Sequence, residues 1–241
     1  MIRVAAVGDV HASDDREDLL APGFADLDER ADVLLLAGDL TRRGTREEAD
    51  ALGRQLLGVT IPKVAVLGNH DHHSGDPDAV VAALAAHGVT VLRDATEVVE
   101  VGGERLGVAG VKGFAGGFGH HVLTAFGEPE IKAFVGVAED AARALRRGLT
   151  ELAACGCQAR VALLHYAPVA DTVADERPEI HAFLGSQKLA EAIDRAGADL
   201  VVHGHAHRGP HLGTTPGGVP VRNVAMPLMG EPYRVFTVGP G

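Results

Sequence analysis

Cysteine is nearly absent from this 241-residue chain: Cys155 and Cys157 are the only two. They are too few for a four-thiolate zinc site, and a single residue between them makes a strained disulfide. They read as reduced thiols near a helix end, which points to the cytoplasm. Long hydrophobic runs are missing as well. Nothing approaches 18 consecutive apolar residues, so no membrane span is expected. Met1 leads straight into a strand-like run, without a charged stretch followed by a long apolar one. Positive charge is scarce: 22 Lys and Arg face 33 Asp and Glu, a formal net charge of -11. That balance argues against a general binder of nucleic acid or anionic membrane, while leaving room for a local basic groove. Internal repeats and low-complexity tracts are also lacking.

What is present is an apolar-rich chain, 46% hydrophobic, long enough for one large α/β domain. Interleaved apolar runs favour one packed core, with residues 1–241 as a single domain. Short apolar runs bounded by Gly and polar residues predict strands near 2–8, 33–38, 63–68, 97–101, 105–110, 160–165, 199–204, 219–224 and 233–238. Thr45 with Glu48 fits a capping box opening a helix to about Leu57. Asp76 and Pro77 read as the N-cap and first-turn proline of a helix through about Ala86. A longer helix is predicted over 136–155, ended by Gly156, and Ser186 caps one carrying Leu189, Ala190 and Ile193. Helices between strands imply a parallel-rich first half, whereas the last strands lie close together. The class is α/β, a layered sandwich rather than a regular eight-fold barrel. Two long loops, 110–119 and 168–185, each follow a strand and are placed to shape a pocket.

Five of the apolar runs end in acidic or histidine-rich clusters: Asp9 with His11, Asp39, Asn69-His70-Asp71, His165, and His205 with His207. In open α/β sheets, functional groups collect beyond the carboxyl ends of the strands, so the five clusters suggest one shared site. Asp9 and His11 are two apart, as are His205 and His207. On extended backbone each pair points one way and can reach one ion. Asp39 has two oxygens with which to bridge two ions. Asn69 offers an amide oxygen and His165 another nitrogen. A nitrogen-and-oxygen set without thiolates suits Mn, Fe, Zn, Co or Ni rather than a closed structural zinc site. With only two carboxylates against two divalent ions, such a site stays net positive and attracts phosphate.

The ordered set Asp9-x-His11, Gly38-Asp39, Gly68-Asn69-His70-Asp71, His165 and Gly204-His205-x-His207 resembles the calcineurin-like metallophosphoesterases. The resemblance spans residues 9–207. It implies a four-layer α/β/β/α sandwich with mixed sheets and a centre of two divalent or trivalent transition-metal ions, Mn, Fe or Zn. By matching positions, Asp9, His11, Asp39 and His207 hold one ion, and Asp39, Asn69, His165 and His205 the other. It further implies a hydrolase acting on a small phosphodiester or phosphomonoester by attack of a metal-bridging hydroxide. His70 then contacts the phosphate and assists the leaving group, and Asp71 orients and polarises His70.

The block Leu40-Thr41-Arg42-Arg43-Gly44 departs from the family pattern. Phosphatases acting on phosphoproteins carry Asp then Arg where this chain has Arg42 and Arg43, which speaks against that activity. Arg43 can keep the phosphate-binding role of that arginine. Purple acid phosphatases place a metal-binding Tyr at the position of Arg42, so that subgroup is disfavoured too. His120 and His121 close the Gly-rich loop, and Tyr166 neighbours a proposed ligand; all three are candidate substrate contacts. His203 reads as a packed or supporting residue, His72 and His73 as solvated, and His87, His181 and His211 as unrelated to the site. Two alternatives stand beside a phosphoesterase of small substrates. One is a DNA nuclease of the same superfamily, for which no basic path is visible. The other is a non-catalytic interaction module, against which the retention of His70 and every metal position speaks.

Overall fold

The computed structural model describes residues 1–14 and 20–239. In chain order they form β1 (Ile2–Val7), α1 (Leu27–Arg30), β2 (Val33–Ala37), α2 (Arg46–Gln55), β3 (Lys63–Val66), α3 (Pro77–Ala86) and β4 (Val89–Leu92). Then follow β5 (Ala95–Val101), β6 (Glu104–Val111), α4 (Pro129–Ala154), β7 (Ala159–Leu164), α5 (His181–Leu184), α6 (Gln187–Ala196) and β8 (Leu200–His203). The chain ends with β9 (Leu212–Thr214), β10 (Pro220–Asn223), α7 (Met226–Met229) and β11 (Arg234–Val238).

The strands build a five-stranded sheet, β11-β1-β2-β3-β4, and a six-stranded sheet, β5-β6-β7-β8-β10-β9. Both are mixed. β1 to β4 run parallel with β11 antiparallel at the edge, and β6, β7, β8 and β10 run parallel between antiparallel β5 and β9. The period-two alternation of strand side chains sorts the core into layers. From β1, Ile2, Val4 and Ala6 join Leu35, Val64 and Val66 against Leu106, Val108, Val161 and Val202 of the other sheet. Ala5 and Val7 turn the other way, with Leu34 and Leu36, onto Leu27, Leu52 and Leu84 of α1, α2 and α3. On the far side, Ala162, Leu164 and Val201 meet Leu145 and Leu149 of α4 and Ile193 of α6. The layers are therefore α/β/β/α. Each fully buried Leu or Val in them contributes roughly 1.5–3 kcal/mol of transfer free energy.

Capping follows the sequence closely. Thr45 accepts from Glu48 N, Asp76 from Ala79 N, and Ser186 from Lys188 N. The capping box is only half closed, because the Glu48 carboxylate accepts from Arg43 N at 2.6 Å. β4 and β9 were not expected. They are four and three residues long, too short for alternation to stand out. α4 starts at Pro129 rather than 136, with the proline in its first turn. Cys155 and Cys157 are free thiols just past that helix. Segment 168–185 is not irregular: it holds two 3-10 turns and α5. Among the described residues no helix is long and apolar enough to cross a membrane.

Candidate metal centre

Every proposed donor lies within four residues of a strand end. Asp9 and His11 follow β1, Asp39 follows β2, Asn69 and His70 follow β3, His165 follows β7, and His205 and His207 follow β8. Four of them have left-handed backbone: Asp9 (φ 56°), His11 (φ 45°), Asp39 (φ 49°) and His205 (φ 70°). Such a conformation costs on the order of 1–3 kcal/mol per non-glycine residue and clusters at functional sites. It also corrects the expectation of extended backbone. Asp9 and His11 converge because the chain turns sharply at both, not because alternate residues share a face.

Glycines make the convergence possible. A Cβ on Gly68 would stand 2.1 Å from Asp39 Oδ1, and one on Gly204 would stand 2.2 Å from Asp9 Oδ2. The glycine before one donor thus leaves room for the carboxylate of another.

Three groups of donor atoms result, each with its atoms within 4.8 Å of one another: Asp9, His11 and His207; His11, Asp39 and His70; Asp39, His165 and His205. Asp39, 1% exposed, is common to two. Its Oδ2 lies 4.0 Å from His11 Nε2 and 3.9 Å from His70 Nε2. Its Oδ1 lies 3.3 Å from His165 Nε2 and accepts the His70 backbone N–H at 2.8 Å. Asn69 joins the third group through Oδ1, 3.0 Å from His165 Nε2. All seven residues expected as ligands are therefore in one place.

The protonation pattern fits a cation. His165 Nδ1 donates to the Ala37 carbonyl at 2.9 Å, so the neutral ring carries its lone pair at Nε2. That lone pair faces the Asn69 and Asp39 oxygens. Burial depresses the His165 pKa to about 3, so at neutral pH no proton separates these three electron-rich atoms. A metal ion does. His205 repeats the arrangement: Nε2 donates to the Phe183 carbonyl at 3.3 Å, Nδ1 stays open, and burial lowers its pKa to about 3. Burial likewise takes His11 down to about 4. Asp9 is pushed up to about 6 by burial and by the Asp39 charge, partly offset by its 2.9 Å hydrogen bond with His207 Nε2. The same bond raises the His207 pKa.

Around this centre some expectations change. Asp71 does not touch the His70 ring. Its two oxygens accept from Leu40 N, Thr41 N, the Thr41 hydroxyl and Gly68 N. The Arg42 carbonyl orients His70 instead, accepting from Nδ1 at 2.8 Å. Arg43 is exposed, and Arg42 is the arginine that lines a cleft of about 460 Å³ with Asp9, His11, His70 and His207. His120 and His121 sit exposed on a 3-10 turn and belong to none of the three donor groups among the described residues. Tyr166 is buried, its ring centroid 4.5 Å from that of His205. His203 is buried outside the donor groups, with Nε2 accepting from the Thr172 hydroxyl at 2.8 Å. His87 pairs with Asp50 and His181 with the Glu176 carbonyl, away from the centre. The place of Arg42 in the cleft had one sequence signal: it stands three residues beyond Asp39.

A family model of calcineurin-like phosphoesterases matches residues 2–209. The chain belongs to this family. Among solved structures, this calcineurin-like phosphoesterase is similar to the phosphopantetheinyl hydrolase of Mycobacterium tuberculosis, with 20% identity and a TM-score of 0.69 over 99% of this chain and 98% of that one. A putative 5'-nucleotidase of Staphylococcus aureus is 18% identical with a TM-score of 0.59, covering 92% of this chain and 48% of its own. GAP50, the anchor in the inner membrane complex of Plasmodium, is 14% identical with a TM-score of 0.61, covering 94% and 72%. Identities this low establish a shared fold. No curated protein matches the chain.

Proposed function

We propose that this calcineurin-like phosphoesterase hydrolyses a small phosphomonoester or phosphodiester at a two-metal centre. The carrying observation is Asp39, one of whose oxygens faces His11 and the other His165. On this reading Asp9, His11, Asp39 and His207 hold one ion, and Asp39, Asn69, His165 and His205 the other. Mn, Fe and Zn suit the donor set. When bound, the ions supply Lewis acidity, withdrawing charge from phosphate oxygens and acidifying water.

The chain's own residues do the rest. His70, held by the Arg42 carbonyl through Nδ1, presents Nε2 to the cleft. A proton carried at Nε2 goes to the departing oxygen. The Arg42 guanidinium in the same cleft complements the phosphate oxygens. Asp71 fixes the backbone of residues 40, 41 and 68, and through it the turns that carry Asp39 and Asn69. Two structural neighbours are named as a phosphopantetheinyl hydrolase and a putative 5'-nucleotidase, in keeping with phosphoester chemistry.

The test is hydrolysis of bis-p-nitrophenyl phosphate and p-nitrophenyl phosphate by metal-stripped protein with Mn²⁺ restored, beside Asp39→Asn. Metal-dependent turnover that the variant loses is expected, and the diester-to-monoester ratio narrows the substrate class. No turnover with Mn²⁺, Zn²⁺, Co²⁺ or Fe²⁺ in folded, metal-loaded protein would refute the reading.

A further inference from the structure

The chain has only seven Phe, two Tyr and no Trp, yet Phe114, Phe134, Tyr166 and Phe183 line a single cavity of about 400 Å³. Asn69 and His205, both in the candidate donor set, also line it. The cavity therefore adjoins the candidate metal centre. Its aromatic residues come from four separate parts of the chain. Phe114 belongs to the Gly-rich segment after β6, Phe134 to the first turns of α4, Tyr166 to the turn after β7, and Phe183 to α5. Two backbone hydrogen bonds tie the Gly-rich segment to the one bearing Phe183, Gly116 N to Ala182 O and Gly117 N to Gly185 O, both at 2.9 Å. The rings meet at tilted angles, Phe114 with Phe134 at 4.9 Å between centroids and Phe114 with Tyr166 at 6.0 Å. Lys112 Nζ stands 5.1 Å from the Phe114 ring centre and 5.2 Å from that of Tyr166, pinning both by cation–π attraction.

Tyr166 lines this cavity, and its hydroxyl keeps access to solvent: it is not among the buried side-chain atoms that lack a partner in the described residues. A pocket with aromatic walls, a hydroxyl open to a ligand and donor-set residues in its lining has the composition of a small-molecule site.

We propose that this cavity binds the organic group of the phosphoester substrate, and that this group is a flat aromatic or heteroaromatic ring close to the scissile phosphate, with a polar edge met by the Tyr166 hydroxyl. The proposal rests on the phosphoesterase reading and names the substrate class of that same site. Phe183 has a double part. Its ring walls the cavity and its carbonyl accepts from His205 Nε2, so the pocket and a donor of the centre share one residue.

The experiment compares benzyl phosphate with methyl phosphate, whose leaving alcohols are about equally basic, using Mn²⁺-loaded protein. In parallel, calorimetry measures the affinities of benzylphosphonate and methylphosphonate, which are not hydrolysed. The expected preference for the benzyl compound is about tenfold or more in both. Phe134→Ala and Phe183→Ala each lower the benzyl-to-methyl ratio by about tenfold. Phe183 is 58% exposed, so its variant folds even if Phe134→Ala does not. Metal-dependent turnover with a ratio near one, unmoved by either variant, overturns the pocket and leaves the hydrolase reading standing. Absent turnover with the binding preference intact supports the pocket and counts against monoester hydrolysis only, the diester being decided by the bis-p-nitrophenyl phosphate assay. Cyclohexylmethyl phosphate serving as well as benzyl phosphate overturns the flat-ring assignment.

Discussion

Replacing Asp71 by Asn separates a structural clamp from a catalytic partner. Oδ1 accepts from Thr41 N at 2.8 Å and the Thr41 hydroxyl at 2.6 Å, while Oδ2 accepts from Gly68 N at 2.7 Å and Leu40 N at 3.2 Å. An amide has one oxygen, so two of these four donors would face its NH₂ group. Each buried unpaired donor costs about 1–3 kcal/mol. Against this, burial of the carboxylate, which raises the Asp71 pKa to about 6, is relieved by the neutral amide. Two unpaired donors cost about 4 kcal/mol and the relieved burial returns about 3, so the net destabilisation is roughly 1 kcal/mol. For a chain of this size that corresponds to a fall in Tm of about 2–4 °C. Thermal denaturation followed by circular dichroism, paired with turnover measured well below the transition, reads both quantities. The clamp predicts that fall in Tm with kcat of the folded protein little changed. An unchanged Tm with kcat down a hundredfold or more would refute the clamp and return Asp71 to the side of His70.

Gly204→Ala sets a Cβ 2.2 Å from Asp9 Oδ2; the displaced carboxylate should lower metal-dependent turnover by about a hundredfold and reduce bound metal by mass spectrometry. Retention of both would show that the carboxylate moves freely. Metal at a hundredfold excess over its Kd should add about 2.7 kcal/mol, raising the Tm of stripped protein by roughly 8 °C; an unchanged Tm would deny the site its cation. The metal-free protein should also lose stability in mild acid. His165 and His205 sit at about 3, and His11 and His203 at about 4, against an ordinary 6.5. The unfolded chain takes up these protons first, so their contribution is complete above pH 6.5 and is lost as pH falls toward 4. Asp9 and Asp71, raised to about 6 from 3.8, work the opposite way between those values. Four imidazoles against two carboxyls leave a net loss, read as a lower urea midpoint at pH 5 than at pH 7; equal midpoints would contradict neutral burial of the histidines.

The donor set was legible because each member follows a short apolar run, and runs of that length bounded by Gly and polar residues read as strands, whose ends meet at one edge. The same runs carry the layer order, since Ile2, Val4 and Ala6 alternate with Ala5 and Val7 between two apolar surroundings. What stayed hidden has physical reasons. Asp71 is held by three backbone N–H groups, which leave no mark in a sequence, and by the Thr41 hydroxyl. That Arg42 rather than Arg43 lines the cleft depends on how the turn after Asp39 is rolled, which two adjacent arginines do not reveal. Phe114, Phe134, Tyr166 and Phe183 are far apart in the chain and share no spacing, so their meeting depends wholly on tertiary packing. β4 and β9 contain too few residues for any periodicity.

The left-handed backbone at Asp9, His11, Asp39 and His205 has a consequence for how this chain can change. Asp, Asn, His and Gly are the residues that adopt such a turn readily. Of the usual metal-binding side chains, Asp and His satisfy the turn and the ion together. Glu and Cys fit the ion and strain the turn, while Gly fits the turn and binds nothing. Each position is thus filtered twice, and the two filters overlap in very few amino acids. Random substitution there has almost no tolerated neighbours, and a change of metal preference has to be sought in the groups behind the donors, the Ala37 and Phe183 carbonyls among them.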